Sequence, residues 1–452
     1  MNFNKKDIYA DVVCENNRYI EPSTQLLSLA DQIFNIIDYR LGYKKKEKQK
    51  YFDCLVFRLN NLYSAFKSEC NLAYSRDSRV YLKKYCAAEN KHFWEYSAIS
   101  DVSDALEANL YIRQIKGNNI IGYRTIAIIR PSLSKILDCI RPYKIKLSDN
   151  LNPIELRKRE KSIAPDGKTK YRKFPISYKD DQDERIPKMR KELGNIYNYY
   201  KNQDLAGFIP DSVLSNNLEF VKILNQYNNT GKIDLLQRYD GMYFTIVDRW
   251  VKRIFNNSTF NNGGRLYACF QNLPRDLRKY FLINGSNVAE LDYSACQIKI
   301  LYHSWLKKPY LDDDPYEIID LRRDIAKKAV IICINAETQR EAVGALYAYC
   351  TDELNMKDIS YSDAMRMIRA FEVKHRPISD CFYSGAGVIF MRLESEIIVR
   401  IILELMNLNI CVLTIHDSCI HPIEHQKTVY EAMMEIYKSV LKFYPTVKIE
   451  NR

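Results

Sequence analysis

No two of the twelve cysteines stand in Cys-x-x-Cys spacing, and they are scattered along all 452 residues. This argues against a zinc knuckle or a disulfide framework and reads as a reduced, intracellular chain. No apolar run approaches the roughly 20 residues of a membrane span. The opening Met1-Asn2-Phe3-Asn4-Lys5-Lys6-Asp7 is polar and lacks an apolar signal core. A soluble, cytoplasmic protein with no membrane partner is expected. Internal repeats and low-complexity tails are missing too.

The composition is that of an ordinary globular protein, 46% hydrophobic and 27% charged. The length suits two to four domains. A formal net charge of +12 and a pI near 8.9 are compatible with a polyanionic partner but do not require one.

The first 130 residues or so read as mainly helical. Ser23 stands where a cap would, ahead of apolar residues at helical spacing from Leu26 to Ile37. A basic run, Lys44 to Lys50, follows and suits a solvated face or loop. Between residues 140 and 190 lie Arg157-Lys158-Arg159-Glu160-Lys161 and Lys168-Thr169-Lys170-Tyr171-Arg172-Lys173, separated by Pro165-Asp166-Gly167. Asp-Gly between two extended runs signals a hairpin. Such a basic hairpin, carrying Tyr171 and Phe174, is either an arm along a phosphate backbone or a mobile surface loop. Asp180 to Glu184 has the look of a linker. Residues 190–260 return to helical patterning, with Leu218, Val221, Leu224 and Leu235 as core candidates.

The chemistry concentrates beyond residue 260. Asp292 ends a short strand with Val288 and Leu291 as its apolar residues, and an amphipathic helix pattern follows with Ile298, Leu301, Tyr302 and Trp305. Ser294 stands where a helix cap would. Asp417 lies between Ile410–Ile415 and Ile420–Ile423, both apolar. A two-residue reversal of apolar strands favours Asn-Gly or Asp-Gly, so His416-Asp417-Ser418 is poor turn chemistry and points to function. Two carboxylates on adjacent strand ends can share two divalent cations about 3.5–4 Å apart, the arrangement for in-line attack on a phosphate. A rival metal cluster of His416, Cys419, His421 and His425 is disfavoured. Pro422 breaks the helix that the His421/His425 spacing would need, and the Cys/His separations do not suit structural zinc.

Two further elements accompany the aspartates. Arg323, Lys327, Ile331 and Asn335 recur four apart on one helix face, which suits a triphosphate with a base stacked beside it. Gly263-Gly264-Arg265 through Gln271-Asn272-Leu273-Pro274 to Arg278 joins a flexible Gly pair to cations and amides, as backbone and minor-groove contacts would use.

In this order the four elements resemble the palm and fingers of family A DNA polymerases and the related single-subunit RNA polymerases of phages and mitochondria. Gly264-Arg265-Leu266 with Gln271-Asn272-Leu273-Pro274 resembles the segment that touches the primer–template minor groove. Leu291-Asp292-Tyr293-Ser294 resembles motif A, Arg323-x-x-x-Lys327 the start of motif B, and Ile415-His416-Asp417-Ser418 motif C. The likeness covers roughly residues 260–430.

The resemblance implies an α+β right-hand polymerase, with a palm sheet, helical fingers and a mainly helical N-terminal and thumb region. Its parts would be a helical domain at 1–139, the basic hairpin and a thumb-like region at 140–259, palm at 260–310, fingers at 311–390 and palm again at 391–452. It implies Asp292 and Asp417 as ligands of two Mg²⁺, with Mn²⁺ as substitute, and His416 near the primer end. Arg323, Lys327, Ile331, Asn335 and Gln297 would meet the incoming nucleoside triphosphate. Arg265, Gln271, Asn272 and Arg278 would lie along a DNA template–primer, RNA being the alternative. The expected enzyme is a monomeric nucleotidyltransferase that extends a primer without proofreading, since no paired-carboxylate exonuclease pattern stands in the first 250 residues. A phage or mobile-element replication setting would suit it.

Three departures leave the sugar open. Gln297 stands where the DNA polymerases carry a Glu gate and the RNA polymerases a small residue. Ile331 and Asn335-Ala336 replace an aromatic or Met and a Tyr-Gly. His-Asp-Ser is the RNA polymerase form of motif C. The bulk of Gln297 favours deoxynucleotides. An RNA polymerase or primase is the alternative enzyme, and a polymerase-like nucleic-acid-binding protein without catalysis is the alternative of another class.

Overall fold

The computed structural model describes residues 12–14, 20–43, 45–74, 76, 96–116, 125–140, 146–147, 152–163, 169–238, 240–310 and 314–450. They form a mixed α+β protein with several sheets. The chain divides into two units, Met1–Lys252 with Ala268–Gly285 and Arg253–Tyr267 with Ser286–Arg452. Among the described residues no helix is long and apolar enough to cross a membrane.

The first unit begins with helices α1 (Thr24–Ile37), α2 (Lys48–Lys67), α3 (Tyr96–Ala108) and α4 (Pro131–Asp138). Ser23 does cap α1, its Oγ accepting from the Leu26 amide at 3.1 Å. Leu26, Ile33, Leu55, Leu62, Val102 and Leu106 share one buried cluster, each worth roughly 1.5–3 kcal/mol of apolar burial. The same stretch also holds a sheet that the helical reading misses. Strands β1 (Val12–Cys14), β3 (Asn71–Tyr74), β5 (Thr125–Ile129) and β4 (Ile112–Ile115) lie side by side in that order. β3 and β5 are short and continuously apolar along most of their length, so no period-two alternation announces them. A two-stranded patch pairs β2 (Ile20–Glu21) with β6 (Lys146–Leu147). Lys44 and the Pro165-Asp166-Gly167-Lys168 turn lie outside the described residues.

The hairpin itself is present. β7 (Ile154–Ile163) and β8 (Thr169–Ile176) pair antiparallel from Leu156↔Ile176 to Ile163↔Thr169. Within the linker-like stretch, Asp180–Gln182 forms a 3-10 turn, and Arg190 of α5 (Arg185–Lys201) grips Asp180 with both terminal nitrogens. Beyond α5 the helical reading again gives way to strands. β9 (Leu205–Pro210), β10 (Ile233–Arg238), β11 (Gly241–Ile246) and β14 (Phe281–Ile283) form the antiparallel order β10-β11-β9-β14. The helix α6 (Leu218–Asn229) faces inward through Phe220 and Leu224 and leaves Leu218 77% exposed. Val221 and Leu235 are half-buried.

In the second unit β12 (Val251–Phe255), which begins in the first, neighbours β13 (Gly263–Ala268). β15 (Ser286–Tyr293) is followed by the short helix α7 (Cys296–Leu301). Four helices come next, α8 (Arg323–Asn335), α9 (Gln339–Ala348), α10 (Tyr361–Lys374) and α11 (Gly387–Asn407). The chain then returns through β16 (Leu413–Ile415), β17 (Ser418–Pro422), α12 (Gln426–Leu441) and β18 (Val447–Ile449). β18, β15, β17 and β16 are antiparallel neighbours in that order. Tyr293 anchors this sheet to α12, its hydroxyl donating to the Met433 carbonyl at 2.7 Å.

Gly207 of β9 sits opposite Phe244 on one side and Phe281 on the other, and the two rings meet edge to face at 5.9 Å over it. A Cβ there would stand 2.2 Å from the Phe244 ring and 2.8 Å from the Tyr280 carbonyl. Gly207→Ala is therefore expected to destabilise by roughly 1–3 kcal/mol through overpacking. Urea unfolding of the variant checks this, and an unchanged midpoint would show the strand shifting freely.

Candidate active site

The register of β15 on β17 builds the site. Asp292 pairs with Ser418, one residue after the turn that carries Asp417. Ile415 pairs with Ser418, so His416 and Asp417 alone reverse the chain. His416 has φ +57° and Asp417 is not left-handed, so the first turn position holds a conformation that glycine ordinarily takes. A side chain in that conformation costs roughly 1–2 kcal/mol, and such strain collects at functional sites. The His416 ring is exposed and stands edge-on to Tyr267 at 6.4 Å.

On the other strand end, Ser294 does not cap the helix. Its amide donates to the Thr446 carbonyl at 2.8 Å, and Ala295, at φ +54°, precedes the first turn of α7. The sharp bend leaves Asp292 at the strand end with Cys296 buried just behind it. Of the expected apolar stripe, Ile298, Leu301 and Tyr302 are buried. Trp305 is 58% exposed, where the helix loosens into a π-turn over Tyr302–Leu306.

Burial pushes the Asp292 carboxyl up to about 7, and the nearby Asp417 charge is the next cause. Lys448 stands 3.6 Å away but is half-exposed and lies closer, at 2.7 Å, to Glu450, so it offsets little of this. Asp417 is also raised, first by burial and then by Glu394, with Arg265 and Lys327 acting against them. Asp417 retains some open surface, yet protein crowds the carboxyl, and that crowding sets its desolvation. Two carboxylates close enough to repel one another are thus held where water is scarce.

Sequence reasoning missed two carboxylates that surround the pair. Glu394 is buried on α11 and takes both Nε and Nη2 of Arg265, at 2.7 and 2.8 Å. Removing one partner of such a buried pair costs roughly 3–5 kcal/mol. Its face was readable, since Phe390, Ile397, Ile398 and Ile401 are buried at helical spacing around it. Glu290 is buried two residues before Asp292, on the same face of β15. Its Oε1 accepts from Ser418 Oγ at 2.5 Å, which ties β15 to the foot of the Asp417 turn. Lys448 comes from a three-residue strand that no sequence pattern marks.

The glycine pair explains how Arg265 is presented. Gly263 and Gly264 have φ +79° and +77°. The buried Arg253 donates from Nε to the Gly264 carbonyl at 2.7 Å and from Nη2 to Ser395 Oγ at 3.0 Å. A Cβ on Gly264 would stand 2.6 Å from the Phe255 ring. The start of β13 is close-packed rather than flexible.

The helix α8 keeps the predicted face. Arg323 and Lys327 are exposed, Ile331 is 42% exposed and Asn335 half-buried, while Ala329, Val330, Ile332, Cys333 and Ile334 fill the core. Lys327 is close enough for its charge to act on Asp417. Arg323 pairs with Asp314 at 2.7 Å and lies 5.2 Å over the Tyr316 ring. Asn335 donates to the Ile331 carbonyl at 2.7 Å and packs where a Gly387 side chain would otherwise be. Gln297 is half-buried on the first turn of α7.

Gln271, Asn272 and Arg278 belong to the other unit. Asn272 is exposed, and Arg278 folds onto the carbonyls of Gln271 and Leu273, at 3.2 and 3.3 Å. In the rival cluster, Cys419 and His421 are fully buried, and His421 Nδ1 lies 2.9 Å from the Pro422 carbonyl.

No family model matches this chain, and no curated protein matches it. Among the described residues no group of three or more His, Cys, Asp and Glu is arranged to hold a metal ion. The donors that fit divalent cations are the two aspartates. Glu394 and Glu290 are engaged by Arg265 and Ser418, and Lys448, Arg265 and Lys327 only partly offset the raised Asp292 and Asp417 carboxyls.

The sign of this strain is testable. A carboxyl raised on folding contributes stability below its ordinary range and loses it as pH rises through about 7. In chelator-treated protein, Asp292→Asn is expected to raise the thermal midpoint at pH 8, with a smaller gain at pH 5. Millimolar Mg²⁺ is expected to narrow the gap at pH 8 by stabilising the parent protein. A midpoint that falls equally at both pH values would contradict the strained pair.

Proposed function

We propose that this chain is a template-directed nucleotide polymerase, a divergent relative of the family A DNA polymerases and single-subunit RNA polymerases, with the right-hand arrangement that resemblance implies. The observation that carries the reading is the raised, mutually repelling pair Asp292 and Asp417 with Lys327 within electrostatic reach. It would extend a primer 3′-OH on a DNA template–primer in the cytoplasm and release pyrophosphate.

Asp292 and Asp417 would hold two Mg²⁺. When bound, these ions supply Lewis-acid stabilisation to the attacking and leaving oxygens of an in-line displacement. Lys327 and Arg323, on the open face of α8, would neutralise the triphosphate. Ile331, exposed one turn further along, offers the incoming base an apolar surface. Glu394 holds the Arg265 guanidinium within electrostatic reach of Asp417, where its remaining edge would meet the primer end. Ser418, bonded to Glu290, fixes the height of Asp417 relative to Asp292. Gln297, half-buried on the first turn after Asp292, would sense the sugar.

Primer extension tests this with dNTPs and NTPs in parallel. Asp417→Asn and Asp292→Ala are expected to reduce extension to background. Lys327→Ala is expected to raise KM for the triphosphate by roughly tenfold, about 1.4 kcal/mol. Gln297→Gly is expected to admit ribonucleotides more readily. Near-normal extension by Asp417→Asn would overturn the mechanism, and an unchanged dNTP/NTP ratio in Gln297→Gly would remove the sugar assignment. NTP incorporation on a bare single strand would move the reading to a primase or RNA polymerase.

A further inference from the structure

The ribbon β7–β8 has two unlike faces. Ile154, Leu156 and Phe174 are buried. Alternation puts Glu155, Arg157 and Arg159 on the opposite face of β7, and the register sets Lys173 directly across from Arg159. Lys252 joins them through Glu155, Nζ to Oε2 at 2.9 Å.

The charge on this face is unbalanced. Burial alone would raise the Glu155 carboxyl, but Lys252 and Arg157 hold it below the usual carboxylate range. Among the described residues, Glu155 is the carboxylate on this face, beside the four cations Arg157, Arg159, Lys173 and Lys252. Lys173 shows the excess, since burial and then the Arg159 and Arg157 charges lower its ammonium. Like charges gathered in this way are relieved by a polyanion.

Geometry says which kind. Arg157 and Arg159 stand two residues apart on one strand, about 6.8 Å, commensurate with successive phosphates on a nucleic-acid strand. Lys173 sits beside them across the ladder, about 5 Å away. A row of cations along one strand face suits a polymer rather than a single small anion.

We propose that the Arg157–Arg159–Lys173 face is a phosphate-backbone track for the DNA template–primer. The polymerase reading supplies the identity of the polyanion, while the track itself rests on the ribbon. It lies in the unit that does not contain Asp292 and Asp417, so it binds DNA by contacts separate from catalysis. Backbone contacts of this kind add affinity and register without reading sequence.

The test is the salt dependence of template–primer binding to the full chain, by fluorescence anisotropy between 50 and 300 mM NaCl. The triple variant Arg157→Ala/Arg159→Ala/Lys173→Ala is expected to flatten the slope of log K against log[salt] by roughly 2–3 units, about 0.9 for each phosphate no longer neutralised. Arg157→Lys/Arg159→Lys/Lys173→Arg should keep the parent slope. Lys158→Ala, on the other face of the same strand, should keep it too and reports on damage to the ribbon.

A parent slope in the alanine triple, or equal flattening by Lys158→Ala, would overturn the track. The outcome is distinct from that of the polymerase reading. A parent protein that binds DNA with a track-dependent slope but extends nothing would sink the polymerase and keep the track. Extension with a track-independent slope would do the reverse. Failure of the parent protein to bind template–primer, with capture of an acidic peptide instead, would also overturn the track.

Discussion

Asp292 pairs with Ser418 across β15 and β17, and nearly every feature of the candidate site depends on that one register position. It sets the strand end that carries Asp292 level with the turn that carries Asp417. A slip of one residue would turn Asp292 and Glu290 to the α12 side of the sheet and send Tyr293 outward. The Ser418–Glu290 hydrogen bond pins the register from the Asp face, and the Tyr293–Met433 bond pins it from the other. The sheet thus keeps two carboxylates together against their own repulsion and desolvation.

Around that constraint the remaining charges fall into two groups. Glu394 and Arg265 satisfy each other and leave Asp417 in a negative field. Lys448, Lys327 and Arg323 are exposed or half-exposed and only partly compensate. The result is a pocket of unmet negative charge at a strained turn, next to a cationic helix face. That combination suits divalent cations at the aspartates and a polyphosphate at the helix. A purely structural pair of aspartates would be expected to carry its own cations, as Glu155 does with Lys252 and Arg157.

Much of this was readable in the residues themselves. The β-branched apolar run before His416-Asp417 and the shorter one after it, the strand before Asp292 and the four-residue spacing from Arg323 to Asn335 each produced the expected element, the strands because polar residues interrupt apolar ones there and the helix because its period shows. The hairpin at residues 154–176 was legible from Asp166-Gly167 between two polar, extended-looking runs. The sheet of the first 139 residues was not, since β3 and β5 are buried along most of their length and do not alternate. β9 to β11 were obscured by the helical spacing of Leu218, Val221 and Leu224, which belongs to α6 between them and was extended to Leu235 of β10. Glu394 and Glu290 could have been found by asking which polar residues share a face with buried ones. Lys448 could not, because three residues carry no period.

The central claim is that Asp292 and Asp417 together hold divalent cations. The most direct measurement is the number of Mn²⁺ bound per chain, by electron paramagnetic resonance, in a complex with template–primer and a non-hydrolysable triphosphate. Two bound ions in the parent protein, with loss of binding in Asp292→Asn and in Asp417→Asn, is the expected result. Undiminished Mn²⁺ binding in both variants would contradict it.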